Sequence, residues 1–77
     1  MGLVRRINEW LKSIDENEND FKSFYTLSFE IKENKEDIIA VLYFLYHTNQ
    51  SKAKIENILK ISCPVEAQPL FPSIFRS

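Results

Sequence analysis

The sequence predicts a mainly α-helical single domain, and three observations predict it. Apolar residues recur at three-and-four spacing near the start, at Leu3, Ile7, Trp10, Leu11 and Ile14. A continuous apolar run over 38–46 follows a helix-start signal at Asn34. A shorter periodic set, Ile55, Ile58 and Leu59, follows Ser51. At 77 residues the chain holds one domain at most. A domain that short buries only about 60% of its unfolded-chain surface, so its stability margin is thin. A deep catalytic cleft would be cut from a core with little to spare. Hydrophobic residues make up 44% of the chain, which suits a packed core and excludes a disordered chain.

The first helix, residues 3–14, carries its apolar stripe on one face and Arg5, Arg6, Glu9, Lys12 and Ser13 largely on the other. Residues 15–20 hold Asp15, Glu16, Glu18 and Asp20 and nothing apolar to bury, which predicts a loop. Then the period changes. Tyr25, Leu27, Phe29 and Ile31 alternate with Thr26, Ser28, Glu30 and Lys32, the pattern of a half-buried strand over 25–32. One strand cannot stand alone and needs a partner from the tail or another chain. A continuous helix through this region is the alternative, and Phe21 and Phe24 fit a helical turn equally well.

Asn34 opens the next helix. Its side chain can cap, and Asp37 can reach back in a variant of the capping box. Glu36 and Asp37 suit the positive end of the helix dipole. Residues 38–46 are apolar on nearly all sides, so this helix should be central. His47 to Gln50 form a polar break, Ser51 caps a third helix over 52–60, and Ile61 closes it. The expected core is Ile7, Trp10, Leu11, Phe29, Ile38, Val41, Leu42, Leu45, Ile55, Ile58 and Leu59.

After this helical domain, residues 1–62, the character shifts. Residues 63–77 hold Pro64, Pro69 and Pro72, no lysine, and one residue of each charge sign, Glu66 and Arg76. Prolines at these positions remove backbone donors and clash with a helical turn. They predict an extended or only briefly helical apolar tail. One reading docks it into a groove on a protein partner, with Leu70, Phe71, Ile74 and Phe75 as anchors. The other folds it back over the central helix, because a chain this small needs every apolar residue it has.

The charges exclude several function classes. A net charge of −1 creates no global field toward nucleic acid or an acidic membrane, so any basic patch is local. Cys63 is the sole cysteine, so no internal disulfide forms and a cytoplasmic, reducing location is expected. No apolar run approaches the roughly 20 residues of a membrane span. No apolar stretch of signal-peptide type follows Arg5 and Arg6. Arg6 stands where myristoylation after Gly2 wants Ser or Thr. Asn49-Gln50-Ser51 matches the glycosylation pattern, by chance if the chain is not secreted.

No catalytic constellation is visible. His47 is the sole histidine and has no carboxylate or serine set up beside it, so a structural role is expected. Cys63 lacks a paired motif, and a single glycine cannot build a phosphate loop. The acidic cluster lacks the central Gly and terminal Glu of a calcium loop and reads as solvated. No metal, cofactor or small-molecule substrate is expected, and the chain is not expected to be an enzyme.

Residues 35–62 resemble the first two helices of a helix-turn-helix or winged-helix DNA-binding domain. Ile38, Ile39, Val41, Leu42 and Leu45 look like the first core helix. Asn49, Gln50 and Ser51 look like the break. Ser51, Ile55, Ile58, Leu59, Ile61 and Ser62 follow the family's common spacing. The chain departs from the family at Glu56, where a small residue is common, and at Lys60, where Gly is common. The resemblance implies a reading helix after Ser62, where only Gln68 has a base-reading side chain. It also implies that Lys52, Lys54 and Lys60, with Arg5 and Arg6, meet phosphates. A solvated helix face is the plainer account of the same lysines. The leading expectation is a protein-binding accessory, regulatory or inhibitory module, with self-association as a homodimer. A nucleic-acid-binding regulator of winged-helix type is the alternative.

Overall fold

The computed structural model describes residues 2–14 and 22–75. It contains α1 (Leu3–Lys12), α2 (Phe24–Ile31), α3 (Lys35–His47) and α4 (Lys52–Ile61). A 3₁₀ helix, Val65–Leu70, and a short α5, Pro72–Phe75, complete it. The fold is mainly helical as expected, and no strand occurs among the described residues. The acidic cluster Asp15, Glu16, Glu18 and Asp20, with Phe21 and Arg76, lies outside the described residues.

The strand expected over 25–32 is helix α2, the alternative reading of that segment. Its apolar residues satisfy both periods, so alternation alone does not decide. Backbone accounting does: a lone strand leaves its N–H and C=O groups unpaired, whereas a helix pairs its own. Ser23 supplies the start, its Oγ accepting from the Thr26 N–H at 3.3 Å. The helical stripe then buries Phe24, Leu27 and Ile31 and turns Tyr25 and Phe29 outward. Phe29, expected in the core, is 79% exposed.

Two helix ends are closed by cations from other helices. Arg6 of α1 donates to the Ile31 carbonyl at the end of α2, at 2.5 Å, and pairs with Glu33 at 3.1 Å. Lys54 of α4 donates to the Leu11 carbonyl at the end of α1, at 3.0 Å. The Ile31 carbonyl gains a partner in this way, while the Leu11 carbonyl, which also accepts the Ile14 N–H at 3.2 Å, gains a second; both contacts set positive charge at the negative end of a helix dipole.

α3 starts at Asn34, whose Oδ1 accepts from the Asp37 N–H at 3.1 Å. The reciprocal carboxylate contact from Asp37 is absent among the described residues, because Asp is one methylene shorter than the Glu of a capping box. α3 ends without glycine. Asn49 takes the left-handed conformation at φ 64°. The Gln50 N–H bonds the Leu45 carbonyl and the Asn49 N–H bonds the Tyr46 carbonyl, the two bonds of a Schellman cap. Ser51, expected to cap α4 with its side chain, is itself left-handed at φ 56° and makes no side-chain cap bond. That conformation turns its hydroxyl away from the free amides.

α3 packs against α1, α4 and the 3₁₀ helix and lies at the centre. The expected core residues are buried apart from Phe29 and from Trp10, which is half-buried and donates its indole N–H to Glu30 at 2.6 Å. The core also takes Phe24, Leu27, Ile31, Ile39, Tyr46, Ala67 and Phe71. The tail is therefore compact rather than extended. Pro69 lies inside the 3₁₀ helix and forgoes one bond of its i→i+3 ladder, while Ala67 and Phe71 on either side donate to the Pro64 and Gln68 carbonyls. Phe71 is 1% exposed and meets Tyr46 edge-on at 5.2 Å and Tyr43 at 6.1 Å between ring centres. Tyr46 donates to Glu56 at 2.9 Å, so its oxygen accepts from the Ser73 hydroxyl at 3.1 Å.

Two outcomes follow. Phe71→Ala should cost about 3–5 kcal/mol, as emptying a buried aromatic site does, whereas Phe29→Ala should stay within about 0.5 kcal/mol. Equal losses for the two in urea denaturation would place Phe71 outside the core. Lys32, at φ 63°, holds a conformation that disfavours a Cβ. Lys32→Gly should raise stability by about 0.5–1 kcal/mol, the strain relieved less the entropy that glycine loses.

Candidate interaction surface

The five basic candidates do not form one surface. Arg6 and Lys54 are committed to helix ends, and Arg5 reaches Glu9 at 3.8 Å on the exposed side of α1. Lys52 sits over the Tyr46 ring at 5.0 Å, a cation–π contact. Lys60 is exposed. At 100° per residue, Lys54 lies roughly 120° around α4 from Lys60, so the three lysines form no stripe. The element after Ser62, where a reading helix is implied, is the 3₁₀ helix with Pro69 inside it. Gln68 is exposed there.

The tail candidates divide. Phe71 is consumed by the core, Ile74 packs partly against it, and Leu70 and Phe75 stay 38% and 39% exposed. Larger apolar exposure lies outside the tail. Tyr25 and Phe29 stand one turn apart on the outer side of α2, at 58% and 79% exposure. Phe44 is 51% exposed on the outer side of α3, beside Tyr43. The signal for Phe44 was present in the sequence. An apolar run of nine residues spans two and a half turns, and a helix in so small a domain cannot be covered all round.

The outer side of α3 presents Glu36, Asp37, Ala40, Tyr43, Phe44 and His47. His47 stacks edge-on against Tyr43 at 4.3 Å and Tyr46 at 5.8 Å, and its ring makes no hydrogen bond among the described residues. Cys63 donates to the Pro64 carbonyl at 3.4 Å, and burial pushes its thiol pKa up. That disfavours the thiolate a nucleophile would need. Among the described residues no group of three His, Cys, Asp or Glu side chains could hold a metal, and no helix is long and apolar enough to cross a membrane. A shallow open depression lined by Gly2, Leu3, Arg5, Arg6, Glu33 and Asp37 mixes both charge signs without a convergent set of donors.

One exposed ion pair fixes the start of the 3₁₀ helix to α3: Lys35 Nζ lies 3.0 Å from Glu66 Oε2. The hydrogen bond from Lys35 lowers the Glu66 pKa, and the bond to Glu66 raises that of Lys35. Comparison of the chain with protein-family models, characterised proteins and solved structures finds no match.

The signs of the two shifts define a pH window. Glu66, lowered on folding, contributes above its unfolded pKa and loses that contribution as pH falls through the folded value. Lys35, raised, contributes below its unfolded pKa and loses it as pH rises through the folded value. Titration by NMR should find Glu66 below the ordinary glutamate range, and Lys35→Gln should move it back up. An unchanged Glu66 titration in that variant would dissolve the pair.

Proposed function

We propose that this chain is a non-enzymatic interaction module that binds a protein partner through aromatic side chains left outside its core. One observation carries the reading: Phe29 and Phe44 point outward from α2 and α3 although the core beneath them is closed. A domain with a thin stability margin gains nothing from exposed phenylalanines, and exposed aromatics are the usual anchors of protein interfaces. Tyr25, Tyr43, Leu70 and Phe75 add apolar area of the same kind. An accessory or regulatory role in the cytoplasm fits such a module.

The nucleic-acid alternative has less support. Two of its five cations bond helix ends, and the described residues after Ser62 form a 3₁₀ helix and the four-residue α5, which is too short to lie along a groove.

The test replaces Phe29 or Phe44 with a photoreactive phenylalanine analogue in the producing cell, with Ala53 as an exposed control position. Irradiation should trap a protein adduct from position 29 or 44 and none from 53. Adducts no stronger than the control at both positions would sink the proposal. Anisotropy of a labelled random duplex should show no steeply salt-dependent binding. Binding that collapses with salt would move the nucleic-acid reading ahead.

A further inference from the structure

We infer that the outer face of α3 is a self-complementary seam through which two copies of this chain associate in antiparallel. This rests on the proposed interaction function and names its partner. The seam residues are Asp37, Ala40, Phe44 and His47, all exposed. Their 3-4-3 spacing keeps them within an arc of roughly 80° on the helix. It is also the spacing of the alternating inner positions of a coiled coil.

Antiparallel pairing sets each position of one type against the other type on the second copy. Residue 40 then faces residue 44 of the other chain, and residue 37 faces residue 47. The side chains match. The ring of Phe44 projects into the gap left by the small Ala40, a knob entering a hole. The Asp37 carboxylate meets the His47 imidazole. Neither group has a hydrogen-bond partner of its own among the described residues, so the second copy supplies to each what the single chain does not. The nearby cations are engaged already: Arg5 reaches Glu9, and Arg6 pairs with Glu33.

Parallel pairing fails on the same residues. It would place Asp37 against Asp37, Phe44 against Phe44 and Ala40 against Ala40, joining like charges and leaving rings and gaps mismatched. Antiparallel pairing also sets the two helix dipoles head to tail. Tyr43, on the flank of the seam, approaches its own copy near the two-fold axis. Tyr25 and Phe29 on α2 have no such internal match. α3 spans only 13 residues, so the buried area falls at the small end for protein interfaces and the association is weak, with a dissociation constant on the order of 0.1–1 mM.

The full chain should show a reversible monomer–dimer equilibrium by sedimentation equilibrium at protein concentrations up to about 1 mM. Ala40→Glu and Phe44→Ala should each weaken it at least about tenfold. Both positions are exposed, so helix content and thermal melt stay unchanged. Orientation is tested with Ala40→Cys and Phe44→Cys, each made in a Cys63→Ala background and mixed under mild oxidation. The 40-to-44 heterodisulfide should exceed both homodisulfides. A monomer at every concentration, an undiminished dimer in both seam variants, or dominant homodisulfides would each overturn the seam. A photo-adduct from position 44 to a different protein, with the chain itself monomeric, rejects the seam and keeps the interaction module.

Discussion

The fold turns on one phenol. Tyr46 sits where α3, α4 and the tail converge, and its ring and hydroxyl serve different partners. The ring closes the core against Phe71 and carries Lys52 on its outer side. The hydroxyl stands between Ser73 and Glu56, donating to the carboxylate and accepting from the serine. A phenylalanine would fill the same space, but it would leave the Ser73 and Glu56 contacts unmade. Tyrosine suits this boundary because one end is apolar and the other is wet. The short α5 is too small to persist by its own propensity, so its place depends on this junction and on the insertion of Phe71 beside it.

A second constraint is the near absence of glycine. Helices commonly stop at a glycine in the left-handed conformation, and this chain has none to use between its helices. Lys32 after α2 and Asn49 after α3 take that conformation instead. At the ends of α2 and α1 the Ile31 and Leu11 carbonyls are met from outside by Arg6 and Lys54. These two cations thus supplement the caps that the backbone makes without glycine. In doing so they cross-link α1 to α2 and α4 to α1, which fixes how the helices sit around α3. Two of the five basic residues that invite a phosphate-binding reading are therefore part of the scaffold.

Much of this was legible in advance, and the exceptions have physical causes. α1 and α4 follow from their apolar period and α3 from its cap and apolar run, and the Asn34 cap is read correctly from residue type alone. α2 is misread because Tyr25, Leu27, Phe29 and Ile31 satisfy a strand pattern as well as a helical one, and Ser23 was the tie-breaking signal. Ser51 misleads because a favourable cap residue is no guarantee of cap geometry. Phe71 offered two destinations, and only the geometry of the folded tail separates an anchor for a partner from an anchor for the core. The exposed aromatics were the harder case. Which face of an all-apolar helix stays uncovered depends on how many neighbours the rest of the chain can supply, and no local pattern encodes that number.

The core runs from Ile7 to Phe71, nearly the whole described length, so no smaller piece of the chain holds a complete set of packing partners. Melting must then be a single event shared by all the helices. It must also be a gradual one. At about 0.7 kcal/mol of unfolding enthalpy per residue, a chain of this size absorbs only about 50 kcal/mol. So small a heat spreads the transition over tens of degrees. An appreciable fraction of open chains would therefore exist well below the midpoint. For this molecule, the tightness of the Phe71 site sets how much of the population is folded at ordinary temperature as well as where the midpoint falls.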